Sequence, residues 1–256
     1  LSFILKERVK AAGTVAREAA VSAQLIDLTI ENRVARLTLQ RPDVGNVFDT
    51  AMLTQMLAAL KRAGTEADIV LLAGAGGDFS LGRDRKEPKG SGTPYHAFNL
   101  ITEVNTTLAA LPGIVVTAVQ GRAFGFAVGL VMRCDIAIAA DDSRFALDEV
   151  SLGIPPMLIM AEIFEHLPPK HALDMVLSSR EIAAGEAQAM GLISRVVPAT
   201  QLRTSADAFV AELRGRDPAV LAACKRYFGS GRHLPAAARG PHSLVEQTRF
   251  TERNRH

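Results

Sequence analysis

The sequence is poor in cysteine, in net charge and in uninterrupted apolar length, and each shortage removes a class of protein. Cys134 and Cys224 are its two cysteines, far apart and without a CxxC or Cys/His spacing, so neither a zinc site nor a disulfide framework is indicated, and both read as reduced thiols. Twenty-nine Lys and Arg residues against 27 Asp and Glu leave a formal charge of +2. So weak a field gives no argument for nucleic acid, and the basic end at Arg249, Arg253, Arg255 and His256 reads as a solvated tail. The longest apolar region, Ile114 to Met132, is broken by Gln120, Gly121 and Arg122, so no membrane span is expected. Phe3-Ile4-Leu5 is too short for a secretory core, and Glu7 and Glu18 fit poorly with a transit peptide, which leaves the cytoplasm as the expected location.

Nucleotide and hydrolase motifs are missing too. Ala73-Gly74-Ala75-Gly76-Gly77 lacks the Gly-Lys-Ser/Thr of a P-loop and the register of a dinucleotide site. The histidines form no HExxH pair, and there is no Gly-x-Ser-x-Gly elbow. Metal and serine-nucleophile chemistry are therefore not indicated.

What is present is a 256-residue chain, 48% hydrophobic, long enough for one substantial core. Residues 1–24 mix Lys, Arg and Glu with Ala and Val and read as an extension. Strand-like alternation from Leu25 to Ile30, a turn at Asn32-Arg33 and a second run from Val34 to Leu39 predict a β-hairpin. Asp49 or Thr50 then caps a helix whose Met52, Leu53, Met56, Leu57 and Leu60 recur at helical spacing. Buried strands at Ile69–Leu72, Ile114–Val119 and Ile136–Ala139 alternate with helices near Phe98–Leu111 and Phe126–Arg133. Past Pro155-Pro156 the pattern is helical, near 160–167, 171–177, 184–190, 201–214 and 218–227. Spacing yields an α/β core followed by a mostly helical C-terminal third. It does not separate a spiral of stacked units from a doubly wound sheet.

Two loops and one carboxylate bear on chemistry. Asp78-Phe79-Ser80-Leu81-Gly82-Arg83-Asp84 follows a buried strand, and a turn at Gly82 can leave the Arg83 N–H facing a cavity. Gly121-Arg122-Ala123-Phe124-Gly125-Phe126 follows another and opens an apolar helix, whose first N–H groups lack partners within the helix. Two such donors aimed at one oxygen make an oxyanion hole. Either loop alone reads as a structural turn.

Three stretches in order resemble the crotonase superfamily, the enoyl-CoA hydratase/isomerase family. Phe79 to Asp84 looks like its first oxyanion loop, and Ala118 to Ala139 like its second loop, helix and strand. Ile182 to Ala187 followed by Gly191 to Pro198 is similar to its helix-and-return segment, and Asn46 after Arg41-Pro42 also fits. The resemblance implies an α/β spiral of ββα units over 25–198 with a mostly helical C-terminal trimerisation region over 199–256. It also implies an acyl-CoA thioester as substrate, with coenzyme A arriving as part of that substrate and no separate cofactor, and a homotrimer or dimer of trimers. The chain ends at His256, where the family usually adds one more helix, so a weaker hold on the adenosine end is expected.

Carried over residue by residue, the resemblance makes the backbone N–H groups of Arg83 and Phe126 the oxyanion donors and Glu149 the catalytic carboxylate. Leu81, Gly82, Asp84, Arg85, Lys86, Gly125 and Gly129 would border the substrate. Arg83, Arg85, Lys86 and Lys89 are candidates to meet phosphates, with a solvated loop as the alternative. The sequence departs from the hydratases at Gly129, where they carry a second glutamate. Hydration uses two carboxylates to hold and activate a water, whereas moving a double bond needs one base. A lone Glu149 thus favours shifting a 3-enoyl-CoA to a 2-enoyl-CoA, and Gly129→Glu should raise hydration. The alternatives are a hydratase, other thioester enolate chemistry, or a non-catalytic acyl-CoA or RNA-binding relative. The plain alternative for Glu149 is a surface pair with Arg144. If its segment is extended, Asp148 points away from it as a support residue.

Overall fold

A computed structural model describes residues 23–87 and 94–253. The elements run β1 (Ile26–Glu31), β2 (Val34–Leu39), α1 (Thr50–Glu66), β3 (Ile69–Gly74), α2 (Pro94–Ala109), β4 (Ile114–Val119), β5 (Arg122–Phe124) and α3 (Phe126–Arg133). They continue with β6 (Ile136–Ala140), β7 (Arg144–Ala146), α4 (Met157–His166), α5 (Pro169–Ser178), β8 (Ile182–Ala183), α6 (Ala184–Ala189), β9 (Arg195–Val197), α7 (Leu202–Arg214), α8 (Pro218–Gly231) and α9 (Ala236–Arg253).

The opening hairpin turns through Asn32 and Arg33, whose φ values of 49° and 61° suit the twist of paired strands. Everything after it in the larger sheet is parallel: the order is β1-β2-β3-β4-β6-β9, with β1 alone antiparallel to its neighbour. One row of paired residues crosses five strands, Leu28, Leu37, Leu72, Thr117 and Ala137. A smaller sheet, β5-β7-β8, lies beside it, and the isolated bridge between Ser80 and Ala123 extends it toward the first loop. The chain thus passes from a strand of the large sheet to the edge of the small one, then through a helix and back. β4, β5 and α3 form one complete turn of that spiral. Non-local pairing decides for the spiral over the doubly wound sheet.

The central strands are buried on both faces, which is why they read as apolar runs rather than alternations. Val70, Leu72 and Val115 face a core shared with Met52, Met56 and Leu60 of α1 and with Leu130 of α3. Leu71, Val116 and Ile138 face a second cluster with Leu202, Ala206 and Val210 of α7. Asp49 caps α1 by accepting from the Met52 N–H at 2.8 Å, as its position predicts.

Several short elements escape a reading by periodicity. β5 and β7 have three residues each and β8 has two, too few to show a period. The basic end, read as solvated and as part of a helical region, is helical through Arg253; α9 carries Pro241 inside it and buries none of its residues. The extension read over 1–24 falls almost wholly outside the described residues. Among the described residues no helix is long and apolar enough to cross a membrane.

Asn46 joins these parts. Its side chain is fully buried; it accepts from the Arg41 N–H at 2.8 Å and donates to the carbonyls of Ala75 at 2.8 Å and Asp78 at 2.9 Å. Its own carbonyl accepts from the Ser80 hydroxyl, which in turn accepts from the Gly82 N–H. Asn46→Ala strands three half-buried partners and forces alanine to φ 52°, so a loss of roughly 2–4 kcal/mol is expected in denaturant unfolding. A loss under about 0.5 kcal/mol would mean that water or neighbours satisfy those groups.

Candidate active site

The first loop is fixed by a parallel bridge between Phe48 and Arg83. The Phe48 N–H donates to the Gly82 carbonyl at 2.8 Å, and the Asp84 N–H donates to the Phe48 carbonyl at 2.9 Å. In such a bridge the middle residue turns its N–H the other way, and that of Arg83 meets no acceptor among the described residues. Gly82 has φ 84°, and a Cβ there would stand 2.7 Å from the Phe124 carbonyl oxygen and 3.4 Å from the Phe126 nitrogen. Only glycine lets the two loops come this close.

The second loop is laced to its neighbours on both sides. The Ser80 N–H donates to the Arg122 carbonyl, the Phe124 N–H to the Ser80 carbonyl, and the Gly125 N–H to the Ala146 carbonyl. Gly125 then starts α3, and the Phe126 N–H at the positive end of that helix also meets no acceptor among the described residues. The Phe126 ring packs edge-on against Phe48 with centroids 5.1 Å apart. One aromatic pair therefore ties the backbone partner of Arg83 to the residue bearing the other donor.

Glu149 arrives from β7, three residues beyond Ala146. It caps a 3-10 turn, Val150–Leu152, with φ −61° and ψ −40°, so the segment is not extended. The expectation that Asp148 points away from Glu149 is corrected by that turn. Both carboxylates lie against Gly125: a Cβ there would be 2.7 Å from Glu149 Oε1 and 3.6 Å from Asp148 Oδ1. Arg144 is not the partner of Glu149; it donates to the Asp142 and Ser143 carbonyls. Glu149 Oε2 is buried and has no hydrogen-bond partner among the described residues.

The cations after the first loop have protein partners. Arg83 donates to the Phe48 carbonyl and to Glu87, and Arg85 grips both oxygens of Asp148 at 2.8 Å. Asp84 accepts from Arg41 at 3.3 Å and from the Lys86 N–H at 2.9 Å, and Leu81 is held by its N–H on the Gly45 carbonyl. The Lys86 side chain is exposed, and Lys89 lies outside the described residues. Gly129, one turn after Gly125 on α3, faces α4: a Cβ would be 3.8 Å from Ile159 and 3.0 Å from Arg133 Nη1.

A family model described as enoyl-CoA hydratase/isomerase matches residues 29–252. The chain belongs to the enoyl-CoA hydratase/isomerase family. A Mycobacterium tuberculosis protein named "Probable enoyl-CoA hydratase echA8" is 33% identical over 70% of each chain. The 2,3-dehydroadipyl-CoA hydratase of Escherichia coli is 29% identical over 77% of this chain and 78% of that one. The crystal structure of an enoyl-CoA hydratase from Mycobacterium smegmatis superposes with a TM-score of 0.84 at 25% identity, covering 90% and 91% of the two chains. A Thermobifida fusca protein solved in complex with CoA gives 0.80 at 28% identity over 93% and 97%. The crotonase spiral expected from the motifs is thus the fold of this chain.

Within this family member the proton affinity of Glu149 is raised. Burial is the main cause and the charge of Asp148 adds to it, while its own backbone N–H and the Arg85 guanidinium pull the other way. Two residues close to the site had no sequence signal. Arg133 reads as the polar end of an apolar helix, and Phe48 as one more core aromatic.

A raised carboxyl has a defined consequence for stability. The folded state holds the Glu149 proton more tightly than the unfolded chain does, so this contribution is full below the ordinary glutamate range and is lost as pH rises through the raised value. Glu149→Gln should therefore melt higher than wild type at pH 8, with the gap closing toward pH 4. A gap that is constant with pH would mean that Glu149 is ionised without penalty.

Proposed function

We propose that this chain is an acyl-CoA enzyme that shifts a 3-enoyl-CoA to a 2-enoyl-CoA. Glu149 is the proton shuttle, and the backbone N–H groups of Arg83 and Phe126 hold the thioester oxygen. The observation that carries this reading is a half-buried carboxylate with one oxygen unpartnered, set against the same glycine that opens the helix bearing a free N–H.

In the first step Glu149 takes a proton from C2, and the electrons of that C–H bond move to the thioester carbonyl to give an enolate. The two N–H groups stabilise the oxygen that becomes charged; losing one such donor costs on the order of 10²–10³ in rate. In the second step the electrons return, C4 takes the proton from Glu149, and the double bond lies between C2 and C3. Every atom is conserved and one base serves both steps. A raised proton affinity suits that base, because it must release the proton as readily as it accepts it.

Leu81, Gly82, Asp84, Gly125 and Gly129 border the acyl and thioester portions in this reading. The pairing of Arg83 and Arg85 within the protein leaves Lys86 as the described cation of that loop free to approach a phosphate. Coenzyme A is part of the substrate, as the complex of the Thermobifida relative supports. Hydration is the second reading, favoured by the names of the relatives. The assembly we propose is a trimer or dimer of trimers: Val220, Phe228, Leu244 and Val245 of α8 and α9 are exposed large apolar side chains that one copy leaves uncovered.

Turnover of matched 2- and 3-enoyl-CoA esters, followed for both products, separates the readings: isomerisation should exceed hydration, and the reverse result would favour the hydratase. Glu149→Gln should lower turnover by about 10²–10⁴-fold while acyl-CoA affinity stays within a few-fold, and retained turnover would place the base elsewhere. Sedimentation at micromolar concentration should give the trimer or its dimer, and a monomer would contradict the assembly.

A further inference from the structure

Gly125, Gly129 and Arg133 are spaced four apart along α3, so they share one face of it. The first lies against Glu149 Oε1, and a side chain at 129 would emerge one turn further along. That place is taken. The Arg133 side chain, 2% exposed, folds back along the helix so that Nη1 donates to the Gly129 carbonyl at 2.7 Å and stands 3.0 Å from where a Cβ of residue 129 would be. Nη2 forms an ion pair with Glu162 of α4, too poorly aligned to count as a hydrogen bond, and Nε has no partner. A buried cation with unused donors is a strong attractor for any new carboxylate placed beside it.

We propose that Arg133 is a specificity-determining residue that acts through position 129: its buried guanidinium occupies the niche beside Gly129 and disarms as a base any carboxylate placed there, so that α3 offers the site no proton acceptor besides Glu149. The inference rests on the proposed function for its meaning in catalysis and on the geometry alone for its chemistry. A carboxylate introduced at 129 meets Nη1 at once, is held ionised and directed toward Arg133, and is a poor base for water. The expectation that Gly129→Glu by itself raises hydration is revised accordingly. Removing the cation as well should free the carboxylate to accept a proton.

Four proteins test this: G129E, R133M, G129E/R133M and G129E/R133K, each carried through isomerisation and hydration assays and through NMR titration of the introduced carboxyl, with folding checked by melting. In G129E hydration should stay within about threefold of wild type, and the new carboxyl should titrate below the ordinary glutamate range. G129E/R133M should raise hydration at least about tenfold over G129E and move the titration upward, whereas G129E/R133K, which keeps a cation, should resemble G129E. R133M alone should keep isomerisation within about threefold. Hydration in G129E equal to that of G129E/R133M overturns the proposal. So does a carboxyl in G129E that titrates at or above its ordinary value, a result that decides even if G129E/R133M fails to fold. A wild type inert toward every enoyl-CoA would sink the proposed function, and the titration would still decide the role of Arg133.

Discussion

The site depends on two backbone segments coming closer than any side chain allows. At Gly82 the first loop lies against the Phe124 carbonyl and the Phe126 nitrogen; at Gly125 the second loop lies against the carboxylate of Glu149. Both glycines have positive φ, and both stand where a Cβ would be inside 3 Å of an oxygen. These contacts bring together an N–H from each loop that is unpaired among the described residues and the carboxylate of Glu149, with Asp148 beside it. The bridges from Phe48 to Arg83 and from Ser80 to Ala123, with the Gly125–Ala146 hydrogen bond, hold them there. The spiral fold is what makes those contacts available, because each turn delivers a loop to the edge of the small sheet.

Much of this was legible in the sequence where the pattern is local. The hairpin turn at Asn32-Arg33, the Asp49 cap and the apolar runs of β3, β4 and β6 each follow from a residue type at a short spacing. The path of the chain was not, because the choice between a spiral and a doubly wound sheet lies in pairings such as that of Ser80 with Ala123. The motifs and their order supplied that part by resemblance. The helical character of the C-terminal region was read, but the bounds of α9 were not, because Gly240 and Pro241 interrupt its pattern and none of its residues is buried. At the site, the Arg83 and Phe126 N–H donors follow from glycine-bearing turns, Glu149 was singled out by resemblance alone, and the turn that brings Asp148 alongside Glu149 had no signal. Arg133 was invisible for a related reason: Glu162 becomes its neighbour, and its side chain is buried along Gly129, only once α3 and α4 pack.

The charges around the site have a consistent logic. Arg85 is committed to Asp148, which moderates a second negative charge next to Glu149. Arg133 is committed to Glu162 and to the carbonyl of Gly129 itself, one turn back along α3. Glu149 is left as the carboxylate with a buried, unpartnered oxygen, in surroundings that favour its protonated form. A group so placed can pick up a proton and give it back without long-lived charge.

In the proposed isomerisation one carboxylate both removes and returns the proton. The most direct measurement follows a 3-enoyl-CoA deuterated at C2 through a single turnover and locates the label by mass spectrometry and NMR. The expected product is a 2-enoyl-CoA in which part of the deuterium lost from C2 appears at C4. A product that is instead mainly the 3-hydroxyacyl-CoA, with oxygen from solvent and no label at C4, would contradict it.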